Sequence, residues 1–136
     1  MLDDAEKIIV ALNSVAGEIK EAVDKLRHKG EKVGLLKLRV FRPFPYEEVR
    51  NVIKNAGVIA VMDRMVSFGS YGPLFMEIKA SLNGIENEPL VYNRVYGAGG
   101  RNIDIEDIED IFSECERYLE KDEIEKVFSI LGVRGN

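Results

Sequence analysis

Apolar residues recur along this chain in two alternating rhythms. Continuous runs at residues 7–12, 33–41 and 58–62 have the length and β-branched content of strands buried on both faces. A fourth run, at 89–96, is more mixed, and its Asn93 and Arg94 suggest an edge of the sheet. Between the runs, apolar positions three and four apart mark helices. Val15, Ile19, Ala22, Val23 and Leu26 form the first stripe, with Asn13-Ser14 as its N-cap and Gly30 closing it. Val49, Val52, Ile53 and Ala56 form the second, begun by Pro45 and ended by Gly57. Leu74, Phe75, Ile78 and Leu82 form the third, which starts at Pro73 and stops at Asn83-Gly84.

Ile108, Ile111, Phe112, Cys115 and Leu119 line the fourth helix. Asp104 can cap it, Asp107 occupies the capping-box position, and Ile103 with Ile108 has the spacing of a hydrophobic staple. Asp122 then offers a cap for a last short helix carrying Ile124, Val127, Phe128 and Leu131. Strands alternating with helices over short connections predict an α/β fold with a mostly parallel sheet of four or five strands, helices covering both faces. One domain fills residues 1–136, with a core at 7–119 and a helical tail at 120–136. A domain of this length hides about 68% of the surface its unfolded chain exposes, enough for a real core.

Composition adds exclusions. Hydrophobic residues at 46% and charged residues at 32% describe a folded soluble domain, and a net charge of -5 argues against nucleic acid as a partner. The one basic cluster, Lys25, Arg27, His28, Lys29 and Lys32, falls at a helix C-terminus, where cations complement the dipole. No run approaches the roughly 20 apolar residues of a membrane span, and no leader opens the sequence, so a cytoplasmic protein without membrane contact is expected. Cys115 is the only cysteine and His28 the only histidine, which removes an internal disulfide and a thiolate cage. Cys115 reads as a core thiol.

The chemistry has to be sought in the loops. Gly97-Ala-Gly-Gly100 is not a dinucleotide fingerprint, and Asp104, Glu106 and Asp107 already occupy the positive end of the helix it feeds. A tight turn with Arg101 exposed is the default there. The loop 64–73 is the better anion candidate. Its helix opens with no acid before Glu77, and Arg64, Ser67 and Ser70 add donors, although such a loop also serves as a plain connection. Asp63 offers a base or a metal ligand, but no second Asp, Glu or His accompanies it in the motif, and accepting N–H groups at the strand end is the default. No hydrolase elbow, Walker loop, zinc-protease motif or C-x-x-C occurs. A phosphoacceptor receiver would place acids after the first strand, where Asn13-Ser14 stand.

Four segments carry a resemblance. Residues 9–17, residues 33–45, Asp63-Arg64 with Ser67-Phe-Gly-Ser-Tyr-Gly-Pro-Leu-Phe75, and Gly97-Ala-Gly-Gly-Arg101 resemble, in order, the C-terminal part of the α subunit of pyruvate:ferredoxin oxidoreductases. In that family the region is a transketolase C-terminal-like domain, a three-layer α/β/α sandwich without catalytic residues. The resemblance implies a noncatalytic assembly domain of an enzyme that converts a 2-oxoacid and CoA to acyl-CoA, CO2 and reduced ferredoxin. Thiamine diphosphate, magnesium and iron–sulfur clusters would belong to the parent complex, none of them to this chain, and the chain alone would be inactive. Its partners would be the other domains and subunits, with ferredoxin and CoA serving the whole complex. The resemblance also places the first and third strands side by side, which makes Asn13, Ser14, Arg42, Phe44, Asp63, Arg64, Ser67, Ser70 and Arg101 the contact candidates. The alternative is a free-standing module that binds a small anion at the loop 64–73.

Overall fold

Five strands form one parallel sheet in the order β2-β1-β3-β4-β5. They are β1 (Lys7–Leu12), β2 (Val33–Leu38), β3 (Val58–Arg64), β4 (Leu90–Tyr96) and β5 (Phe128–Ile130). Four helices connect them: α1 (Ala16–His28), α2 (Tyr46–Ile53), α3 (Pro73–Leu82) and α4 (Ile105–Lys121). The computed structural model describes residues 4–12, 16–38, 44–64, 72–97 and 103–131. The strand order reverses once, between β1 and β3, which is the switch point where α/β sheets present their loops.

Alternation along each strand divides the apolar residues between two cores. Ile9, Ala11, Val58, Ala60 and Tyr92 pack against Ile19, Ala22 and Val23 of α1 and Ile108, Ile111, Phe112 and Cys115 of α4. Ile8, Val10, Ile59, Val61 and Val91 pack against Val49 and Ile53 of α2 and Leu74, Phe75, Ile78 and Leu82 of α3. The three-layer sandwich follows from this division. Helix ends are built as the residues require. Gly30, at φ +90°, takes the left-handed position after α1, and the Glu31 N–H returns to the Leu26 carbonyl. At α4, Asp104 and Asp107 exchange side-chain and backbone hydrogen bonds at 3.0 and 3.1 Å, so the capping box is made.

Three expectations are corrected. First, β4 is not an edge, because it pairs with β3 on one side and β5 on the other. Its polar residues are tolerated because each finds buried partners: Asn93 points toward α3 and Arg94 toward α4. Second, the tail described after α4 is a strand instead of a helix. Asp122 ends α4 in the left-handed conformation, φ 55°, instead of starting a helix. Residues 128–130 then join β4 through Asn93 N–H to the Val127 carbonyl at 2.6 Å and Leu131 N–H to the Val95 carbonyl at 2.8 Å. A run as short as Val-Phe-Ser-Ile satisfies either period, and the ladder offered by β4 decides it. Third, Val52 is exposed, and α2 buries only Val49 and Ile53.

Arg94 is the largest fully buried side chain among the described residues, 2% exposed. Its guanidinium donates to Glu114 at 3.2 and 3.1 Å, to the Lys126 carbonyl at 3.0 Å and to Tyr118 Oη at 3.0 Å, and it stacks 4.4 Å over the Tyr92 ring. At the opposite end of the sheet Lys7 is also buried, paired with Glu31 at 3.3 Å and Glu116 at 2.5 Å.

Candidate functional site: the carboxyl ends of β3 and β4

The strand run 58–63 is buried to its last residue, so Asp63 enters the sheet's carboxyl end only 4% exposed. A buried carboxylate needs donors, and α3 supplies them. Gly72 occupies the N-cap position of α3 and has no side chain to cap it; Pro73 follows without an N–H. The first free amides are those of Leu74 and Phe75, which donate to Asp63 Oδ1 at 2.9 Å and Oδ2 at 3.0 Å. Asp63 therefore caps α3 from the neighbouring strand.

Asn93, opposite Val61 in the register of β3 and β4, completes the cluster. Its Nδ2 donates to the Val61 carbonyl and to Asp63 Oδ2, both at 3.0 Å, and its Oδ1 accepts from the Gly72 N–H at 2.8 Å. Burial raises the Asp63 carboxyl above its usual 3.8, while the Leu74 and Phe75 amides and Asn93 pull in the other direction. With its oxygens accepting from three donors and the residue only 4% exposed, Asp63 is an organiser of the strand end. The amides of α3 expected to be available to an anion are the ones that Asp63 occupies.

Phe44 is 7% exposed and packs in the core beneath α2 and α3, its ring 4.9 Å from Tyr46, whose hydroxyl donates to Glu77 on α3. It is a core residue. Arg64 is exposed at the end of β3. Asn13, Ser14, Arg42, Ser67, Ser70 and Arg101 lie outside the described residues, as does most of the Gly97-Ala-Gly-Gly100 turn. The structure thus brings Asp63 together with Asn93 and Gly72, which sequence reasoning missed; the available signal was an Asn inside an apolar strand run.

Elsewhere, Cys115 is fully buried, and desolvation pushes its thiol up to about 12. Its Sγ lies 3.2 Å from the Tyr92 hydroxyl, which donates to the Ile111 carbonyl. Among the described residues no group of three potential metal ligands occurs, and no helix is long and apolar enough to cross a membrane.

The family profile of the pyruvate:ferredoxin oxidoreductase core domain II matches residues 5–108, which includes the whole of this cluster. The chain belongs to that family. Among curated proteins it is 40% identical over 132 residues to the pyruvate synthase subunit PorA of Pyrococcus horikoshii, covering 97% of this chain and 33% of the relative. It is 41% identical over 125 residues to the ketoisovalerate oxidoreductase subunit VorA of Pyrococcus furiosus, covering 92% and 32%. It is 45% identical over 114 residues to PorA of Methanothermobacter thermautotrophicus, covering 84% and 29%. The chain spans about a third of the length of these relatives. The three-layer sandwich described above is the architecture that family membership implies, and the side-by-side placement of β1 and β3 is found as expected.

Proposed function

We propose that this domain is the noncatalytic assembly domain of a 2-oxoacid:ferredoxin oxidoreductase, a soluble cytoplasmic complex. The whole enzyme would convert a 2-oxoacid and CoA to acyl-CoA and CO2, with the released electrons passing to ferredoxin. The observation that carries the reading is the fate of Asp63. The one carboxylate buried among the described residues is spent on the amides of α3 and on Asn93, so its work is architectural.

Thiamine diphosphate, magnesium and iron–sulfur clusters belong, in this reading, to other parts of the complex. An iron–sulfur cluster needs several thiolates, and this chain offers one cysteine, buried and protonated. Its residues do not fit such a group, and no step of the reaction is assigned to them. The partners are the remaining domains and subunits, met by Arg64 and, in this proposal, by Asn13, Ser14, Arg42, Ser67, Ser70 and Arg101.

Two measurements test the reading. Antibody raised against this chain should detect, in extract of the source organism, a polypeptide far heavier than 15.3 kDa. Calorimetry of the isolated chain with CoA, thiamine diphosphate and inorganic phosphate should give no binding heat. A band near 15.3 kDa together with saturable phosphate binding would replace this reading with a free-standing anion-binding module.

A further inference from the structure

Gly72 has φ −69° and ψ 151°, a conformation open to any residue. The need for glycine there is steric: a Cβ would lie 2.1 Å from Asp63 Cγ and 2.2 Å from its Oδ2. This close approach lets the Gly72 amide reach Asn93 while the Leu74 and Phe75 amides reach both oxygens of Asp63. Apolar packing of Leu74, Phe75, Ile78 and Leu82 secures α3 on the sheet but is non-directional. Hydrogen bonds to a carboxylate are directional, and two of them to successive amides define both the distance and the rotation of the helix start.

We propose that Asp63 and Asn93 are positioning residues for docking. They fix the first turn of α3 against the end of β3 and hold Arg64 and that turn in the orientation that a neighbouring protein subunit meets. The inference rests on the assembly reading above and assigns the residues that set its geometry. An amide at position 63 would keep the shape while presenting NH2 to amides that are themselves donors.

The test places Asp63→Asn, Asp63→Ala, Gly72→Ala, Arg64→Ala and the double variant Asp63→Ala/Gly72→Ala in the full-length subunit of the native complex. The control is Ile111→Val or Ile111→Ala on the opposite face of the sheet, whichever matches the melting-point drop of Asp63→Asn. The readout is the dissociation constant of that subunit from the complex, measured by gel filtration well below melting. Asp63→Asn and Gly72→Ala should each raise it at least tenfold, against less than twofold for the matched control. The Gly72 substitution should add less than twofold in the Asp63→Ala background, where its clash partner is gone. If Asp63→Asn proves insoluble, the two Gly72 variants carry the same comparison. Should Arg64→Ala weaken assembly while the Asp63 and Gly72 variants behave like the control, the positioning role is wrong and the assembly reading stands. Should Arg64→Ala also leave assembly intact, both are overturned.

Discussion

Replacing Arg94 by alanine should be among the most costly single changes in this domain. The substitution removes a guanidinium that joins β4, α4 and the segment before β5, and it strands Glu114, the Lys126 carbonyl and the Tyr118 hydroxyl. Breaking a buried ion pair from one side costs about 3–5 kcal/mol. The Glu114 side chain is 26% exposed and can recover some hydration, so the lower end, about 3 kcal/mol, is expected. At about 2.1 cal/mol/K per residue, unfolding 136 residues carries an entropy of about 0.3 kcal/mol/K, and the melting point should fall by roughly 10 °C. Circular dichroism melting gives the shift. Amide exchange at Ser129 and Leu131 should quicken more than exchange at Ile9 or Ala60, because β5 loses its tie to Arg94. The double variant Arg94→Met/Glu114→Gln should recover about half of the loss, since removing both charges leaves no uncompensated charge in the buried site. A drop below about 3 °C, or unchanged exchange in β5, would refute the idea that Arg94 holds this edge of the sheet.

Other residues give equally definite expectations. Cys115 keeps its proton in the folded chain up to about 12, whereas the unfolded thiol ionises near 9.0; stability should therefore fall above pH 9 by about 1.4 kcal/mol per unit, and urea midpoints for Cys115→Ala should show a flatter slope between pH 9 and 10. Iodoacetamide at pH 8 should leave the native thiol unlabelled and react on unfolding. Phe44→Ala should destabilise the domain by about 3–4 kcal/mol, and Arg64→Ala by less than about 0.5 kcal/mol, a contrast that chemical denaturation resolves. Asp104→Ala should cost about 1 kcal/mol by opening the capping box, with faster exchange of the Asp107 amide as its local signature.

What the residue pattern revealed and what it concealed divide along one physical line. Strands β1 and β3 and helices α1, α3 and α4 are written in repeated apolar spacing and in capping residues, which act locally. The Asp104 and Asp107 box was legible for that reason, as was Gly30. The position of β4 was not, because Asn93 and Arg94 look like surface residues until their partners, Asp63 and Glu114, are brought 30 and 20 residues across the chain. Strand β5 was hidden by the same cause: its period is ambiguous and a distant ladder decides it. Phe44 misled in the opposite direction, since a proline-flanked aromatic resembles an exposed anchor while the space beneath α2 and α3 draws it inward. At the candidate site, Asp63 was visible as a strand-end acid, but its partner Asn93 and the steric role of Gly72 are properties of the tertiary arrangement alone.

The strand order has a bearing on how the polypeptide reaches this state. After β1 and β2 pair, β3 docks on the free side of β1, and each later strand adds to the edge left by its predecessor. The sheet therefore grows outward in one direction in the order of synthesis, and a ribosome delivering roughly 5–20 residues per second presents each strand to an edge already formed. Until residues 128–130 arrive, β4 is the exposed growing face, carrying an unpaired row of backbone groups and the still unshielded Arg94 pocket. The three-residue β5 and the guanidinium beneath it cover that face together, so that the long edge of β4 is replaced by a much shorter one as the Arg94 site closes.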